Sequence, residues 1–322
     1  MTADNELNVN IHIYFHHDGE AGNEGPSPAA APLAFDRQRL ASELQSAIEK
    51  AQLSKSNKTT ANYATAVRSL LKFLAEHEVS DGLTAETISQ YQHWLRAKGL
   101  SLNTVSCYMR SLRSLANSFL PTIEHIFDRA FTGNIRTEKR AIHENEVLRL
   151  QQLTLVPGSY QAFARDLFLF SFYAQGMPFV DMAHLQTSHI SNGHISYMRH
   201  KTGQRISIRI EDCMQDIIDR YHCPDSTFVF PILSSDRQYD KQLNRYNRTL
   251  KRLAEKAGIK SNITSYVARH TWASIAYQSS VELSVISKAL GHTNPQTTLV
   301  YIKDINDDKL EAANHNILKT FQ

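Results

Sequence analysis

Apolar residues recur at three- and four-residue spacing over most of this chain, a period that predicts helices. The first helical stretch covers about 37–53. After the polar run SKSNKTT comes a helix burying Tyr63, Val67, Leu70, Leu71, Phe73 and Leu74. Thr84 is placed to cap a third helix carrying Ile88, Tyr91, Trp94 and Leu95, which Gly99 ends. Ser101 or Asn103 starts a fourth, with Val105, Tyr108, Met109, Leu112 and Leu115 at helical spacing. Together these predict a small helical unit.

Period two replaces the helical period in two places. Leu7, Val9, Ile11, Ile13 and Phe15 alternate as one strand-like segment ahead of a Gly-, Pro- and Ala-rich stretch over 17–34 that reads as a flexible linker. Residues 188–210 alternate as a β-hairpin turning at Thr202-Gly203. Around that hairpin, helices are expected at about 144–153, 160–174, 211–221, 240–257, 266–279, 283–290, 295–302 and 304–319. Residues 121–141, with the polar basic TGNIRTEKRA, have weak periodicity and read as a linker. The pattern predicts a mainly α chain with a small antiparallel sheet. Its expected boundaries are an N-terminal tail over 1–36, a helical domain over 37–122, a linker over 123–140 and a second domain over 141–322.

Composition narrows the function classes. The chain has 322 residues, 42% apolar and 21% charged, which is ordinary globular usage. It contains no apolar run of the roughly 20 residues that a spanning helix needs. Three cysteines, Cys107, Cys213 and Cys223, form no Cys-x-x-Cys pair. These features argue against a membrane protein, a disulfide scaffold and a zinc finger, and make the cytoplasm the expected compartment. Residues 1–34 carry a formal charge of −5, which leaves +8 of the net +3 chain on residues 35–322. A basic body suits a polyanion, because Lys and Arg neutralise phosphates. On the helical domain Lys55, Lys58, Arg68, Arg110 and Arg113 are candidate phosphate contacts, or simply a solvated face.

Chemistry concentrates in residues 264–302. Arg269-His270 opens an otherwise small, apolar helix. Leu290-Gly291-His292 follows another, and Asn294-Pro295 is a strong start for a further helix near whose end Tyr301 lies. Either Tyr301 or His292 alone reads as a core aromatic or a turn residue. The ordered set resembles the tyrosine recombinase (phage integrase) family, in which an arginine-histidine pair, a Leu-Gly-His turn and a nucleophilic tyrosine follow at this spacing. Lys201 in RHKTGQ matches that family's hairpin lysine, and LFLFSFYAQGMPFVDMAHL matches its first catalytic box. LSLNTVSCYMRSLRSL resembles its core-binding domain. The resemblance covers about residues 38–320, and its texture is similar to integrases and invertases of Bacteroides-type bacteria.

The resemblance implies a two-domain, C-shaped clamp on double-stranded DNA, working as a homotetramer on two DNA sites, with accessory DNA-bending proteins as possible partners. It also implies a terminal helix docking on a neighbouring subunit. In the implied chemistry Tyr301 attacks a phosphodiester, the planar fork of Arg269 holds two of its oxygens, and His292 donates to phosphate or helps the phenol lose its proton. Lys201 protonates the departing 5′ oxygen. No cofactor or metal is implied, and no histidine pair has convincing metal spacing. Two positions depart from the family. Gln175, beside Gly176, stands where an arginine is usual, and Tyr266 replaces a histidine three residues before Arg269. Asp181 reads as a helix cap or as the partner of a catalytic cation, and His270 as a neighbour of the site or a packing residue. Alternatives left open are a DNA-binding clamp of the same fold with reduced catalysis, a type IB topoisomerase and an unrelated helical protein. The sequence does not separate integration, excision and inversion, nor a mobile-element role.

Overall fold

A computed structural model describes residues 36–77, 79, 83–119, 125–135, 140–231, 239–294, 296–302, 315 and 318–319. The strand expected at 7–15 and nearly all of the helix expected at 304–319 lie outside the described residues. The chain divides into two compact units, one ending at Thr137 and the other beginning at Glu138.

The first unit holds α1 (Arg37–Gln52), α2 (Asn57–Glu76), α3 (Ala85–Ala97) and α4 (Leu102–Phe119). Side chains cap these helices at positions visible in the sequence. The Asp36 carboxylate accepts from the amides of Gln38 and Arg39, and Thr84 makes a reciprocal capping box with Thr87. Gly99 closes α3 at φ +80°, where a Cβ would be strained. Of the two candidate starts for α4, Ser101 is the cap, its hydroxyl accepting from the Thr104 amide. Asn103 instead bonds Ile135 twice, donating to its carbonyl at 2.9 Å and accepting from its amide at 2.8 Å. Residues 125–135, expected as linker, therefore run along α4, held also by Ser106 and Arg110. Leu70, Phe73, Leu74, Tyr91, Met109 and Leu115 form the centre of this unit's core.

The second unit contains α5 (Glu144–Gln151), α6 (Tyr160–Tyr173), α7 (Phe179–Ala183), a 3₁₀ turn (Thr187–His189), β1 (Ile190–Ser191), β2 (His194–Met198) and β3 (Arg205–Arg209). It continues with α8 (Asp212–Tyr221), α9 (Tyr239–Lys256), α10 (Val267–Gln278), α11 (Leu283–Ala289) and α12 (Gln296–Leu299). The expected hairpin is β2–β3, with Ile195 opposite Ile208 and Tyr197 opposite Ile206. The short β1 adds a third antiparallel strand, and neither it nor α7 has enough residues to show a period. α12 stops at Leu299 instead of reaching residue 302. The Tyr301 amide closes a turn onto the Thr298 carbonyl, and Ser274 of α10 donates to the Tyr301 carbonyl, so packing ends the helix early.

α6 is the central helix, apolar nearly all round, with Phe163, Leu167, Phe168 and Phe170 buried. Its one buried carboxylate, Asp166, accepts from Arg165 at 2.8 Å, Arg220 at 2.6 Å and the Tyr221 hydroxyl at 2.8 Å, pinning α8 against α6. Among the described residues, no helix is long and apolar enough to cross a membrane. Removing the Asp166 carboxylate strands a half-buried arginine and a tyrosine hydroxyl. Asp166→Ala is therefore expected to lower stability by about 3 kcal/mol and Tyr221→Phe by about 1 kcal/mol. Urea unfolding of the full chain checks both, and equal losses for the two variants would contradict the assignment of Asp166 as the hub.

Candidate active site

Three segments of the second unit meet at Arg269, which is 2% exposed. Its Nη1 donates to the Gly176 carbonyl at 3.0 Å, at the end of the turn after α6. Its Nη2 donates to the Leu290 carbonyl at 2.5 Å and approaches His292 Nε2 at 3.0 Å. Because a guanidinium only donates, His292 Nε2 accepts, and the proton of the neutral ring sits on Nδ1, 2.9 Å from the Thr298 hydroxyl. Two glycines make this approach possible. A Cβ on Gly176 would come within 2.7 Å of the Arg269 Cα, and one on Gly291 within 2.8 Å of the Arg199 Cδ; both have positive φ.

Tyr301 lies over this knot, 8% exposed. Its ring centre is 5.2 Å from the Arg269 guanidinium carbon, 5.1 Å from the His292 ring and 4.7 Å from the His270 ring. Its hydroxyl lies 3.3 Å from that of Tyr266, and the two rings stack at 6.1 Å. Tyr266 is thus a phenol-to-phenol neighbour of Tyr301, and His270 packs against both rings.

Electrostatics follow from burial. Burial pushes the Tyr301 phenol above its usual pKa and the Tyr266 hydroxyl adds to this, while Arg269 pulls the other way. Burial, and then repulsion from Arg269, Arg199 and Lys201, lowers the His292 pKa to about 4, so its imidazole is neutral at neutral pH. Arg269 is itself lowered by burial and by the neighbouring Arg199.

Lys201 is exposed on the turn between β2 and β3, which Arg199 and Gln204 close. Thr202 ties that turn to the site by donating to the Gly291 carbonyl at 3.2 Å. Gln175 occupies the turn before Gly176 at φ +57°, half-buried, beside the carbonyl that holds Arg269. Asp181 accepts from Arg199 Nη1 and from the His200 amide, both at 3.0 Å, so it partners a cation and does not cap a helix. Arg199 went unread in the sequence. The signal was there, because Ile195, Tyr197 and Arg199 share one strand parity and all three are buried.

The cations of the first unit behave differently from one another. Lys55, Lys58 and Arg68 are exposed on α2 and the turn before it. Arg110 donates to the Thr132 carbonyl and the Asn134 side chain, and Arg113 lies 3.9 Å from the Asp128 carboxylate. Part of the charge of these last two is therefore used within the unit. Among the described residues, no three His, Cys, Asp or Glu side chains are grouped to hold a metal.

The chain is 23% identical over 270 residues to tyrosine recombinase XerD of Oceanobacillus iheyensis, covering 76% of this chain and 87% of that protein. It is 25% identical over 243 residues to tyrosine recombinase XerA of Pyrococcus furiosus, covering 73% and 80%. Its fold matches the Tn1549 transposon integrase in complex with a circular intermediate DNA, with a TM-score of 0.62 at 14% identity over 85% of this chain and 98% of that one. It also matches a lambda integrase tetramer bound to a Holliday junction, at 0.64 and 14% over 82% and 77%. Residues 40–118 match the phage integrase SAM-like domain. Residues 140–307, more than half of the chain and including every residue of the knot around Arg269, match the phage integrase family, and this chain belongs to that family of tyrosine recombinases.

Proposed function

We propose that this protein is a site-specific DNA recombinase that cuts and rejoins duplex DNA through a 3′-phosphotyrosine on Tyr301. The observation that carries this reading is the convergence of Tyr301, Arg269 and His292, with Lys201 on a turn fastened to the carbonyl of Gly291, which lies between the two residues that Arg269 Nη2 meets. The Tyr301 oxygen attacks the phosphorus, a bond to phosphorus forms, and the bond to the 5′ oxygen breaks. The phenolic proton passes to His292, whose Nε2 is the basic nitrogen of a neutral ring, and the departing 5′ oxygen takes a proton from Lys201. Arg269 turns its fork from Leu290 and His292 to the non-bridging oxygens, where charge builds up. The bond energy stays in the phosphotyrosine, so a 5′ hydroxyl from another strand can reverse the step without ATP.

Partners follow from the same chemistry. Exchange needs two cut duplexes, so we read the working assembly as four copies on two DNA sites, in line with the lambda integrase tetramer on a Holliday junction. Lys55, Lys58 and Arg68 supply phosphate contacts from the first unit, with Arg110 and Arg113 contributing what their internal bonds leave free. Within the family, our reading is a Bacteroides-type integrase or invertase. Site orientation, more than the active-site residues, selects among integration, excision and inversion.

Two measurements test this. A duplex selected from a random pool for binding the full chain, then nicked next to the cleavage point, should trap a covalent complex with the parent and none with Tyr301→Phe. Equal trapping by the variant removes Tyr301 as nucleophile, and a specific gel shift with no adduct from the parent leaves a DNA-binding protein without turnover. The second concerns His292. Its folded pKa of about 4 lies below the usual 6.5, so the unfolded chain binds the proton first as pH falls between those values. Stability from this group is complete above pH 6.5 and is lost on acidification towards pH 4. Urea midpoints at about pH 7 and about pH 5 should therefore fall further for the parent than for His292→Asn. Equal falls would mean that His292 is not held neutral.

A further inference from the structure

The site described above has one guanidinium where its family uses two, since Gln175 stands in the first box. The geometry points to Arg199 as the second: we propose that Arg199, from the end of β2, contacts a non-bridging oxygen of the scissile phosphate opposite Arg269. This rests on the recombinase reading and adds a substrate-contacting residue to it.

Arg199 is 4% exposed, on the buried parity of β2, and no surface role explains a charge there. Its stem packs against Gly291, where a Cβ would lie 2.8 Å from Cδ and 3.6 Å from Nε. Arg269 grips the residues on either side of that glycine, the Leu290 carbonyl and the His292 ring. The two guanidiniums thus flank one three-residue turn; besides burial, Arg199 disfavours the charge of Arg269, and both disfavour a charged His292. Among the described residues, Asp181 is the carboxylate within ion-pair distance of either, and it pairs with Arg199 alone. The Nε atoms of both arginines are buried without a hydrogen-bond partner among the described residues. Two buried cations, one carboxylate and two unspent N–H donors form an unbalanced set, and buried charge of that kind is unfavourable until an anion arrives. A phosphodiester, whose negative charge grows in the transition state, balances it. Gln175 beside Gly176 supplies no charge, so on this reading the missing cation is replaced from a different strand. Asp181 is the positioning residue that aims Arg199 from behind.

The test uses the full chain and the nicked duplex selected for binding, with either a normal scissile phosphate or a methylphosphonate, which lacks one charged oxygen. Arg199→Ala should form covalent complex about 10²–10³-fold more slowly on phosphate while still shifting the duplex in a gel. On methylphosphonate, the gap between variant and parent should shrink to about tenfold or less. Arg199→Lys, which keeps the pair with Asp181 and loses the fork, should fall between. If Arg199→Ala does not fold, the double variant Arg199→Gln with Asp181→Asn removes both charges together and takes its place. Trapping close to that of the parent on phosphate, or a gap that persists unchanged on methylphosphonate, overturns the proposal. Should the parent itself trap nothing, the recombinase reading fails separately. Inorganic phosphate at constant ionic strength then decides the role of Arg199: it should raise the melting temperature of the parent more than that of Arg199→Ala, and equal shifts would overturn an oxyanion site there.

Discussion

The second unit is organised around the bonds of a single buried guanidinium. Arg269 joins the turn after α6, 93 residues earlier in the chain, to the end of α11 and the His292 ring, 21 and 23 residues later. Burying a cation is unfavourable unless its donors find acceptors. Backbone carbonyls serve here because they carry no counter-charge, so the cation stays available to an incoming anion. Both turns must bring backbone against side chain, and this is why glycine occupies Gly176 and Gly291 at positive φ.

From that knot the protonation states of the neighbours follow. Burial, and then the neighbouring cations, keep the His292 ring neutral, and the Arg269 bond decides which of its nitrogens is basic. Burial raises the Tyr301 pKa, the Tyr266 hydroxyl adds to this and Arg269 opposes it, so the protonation of this phenol is tied to the charges packed around it. A tyrosine exposed to water would lack this coupling. The short α12 belongs to the same arrangement, because Thr298 bonds the His292 ring and the turn that follows is closed by Tyr301.

Legibility in the sequence differed between the two units. In the first, helix caps such as Thr84 and Ser101 act within three residues, and the periodicity of each helix is long enough to read. Asn103 was misleading because a good capping residue had a partner thirty-two positions away. In the second unit, α7 and β1 span only five and two residues and have no period to detect. Arg199 is hard to tell from a surface cation in the sequence because it lies two residues from a hairpin lysine, although the alternation of β2 puts it on the inner side with Ile195 and Tyr197.

Local chemistry written along the chain determined the helices, the hairpin and the order of Lys201, Arg269, His292 and Tyr301, since caps, periods and motif spacing act over a few residues. Only the folded chain decided which charges face one another. Coulomb interaction and desolvation depend on distance through space and on exclusion of water, and neither is encoded in separation along the sequence. Hence the pairing of Asp181 with Arg199, the neutral state of His292 and the approach of a second guanidinium to Arg269 emerge with the packing of β2 against the turn at Gly291, and not before.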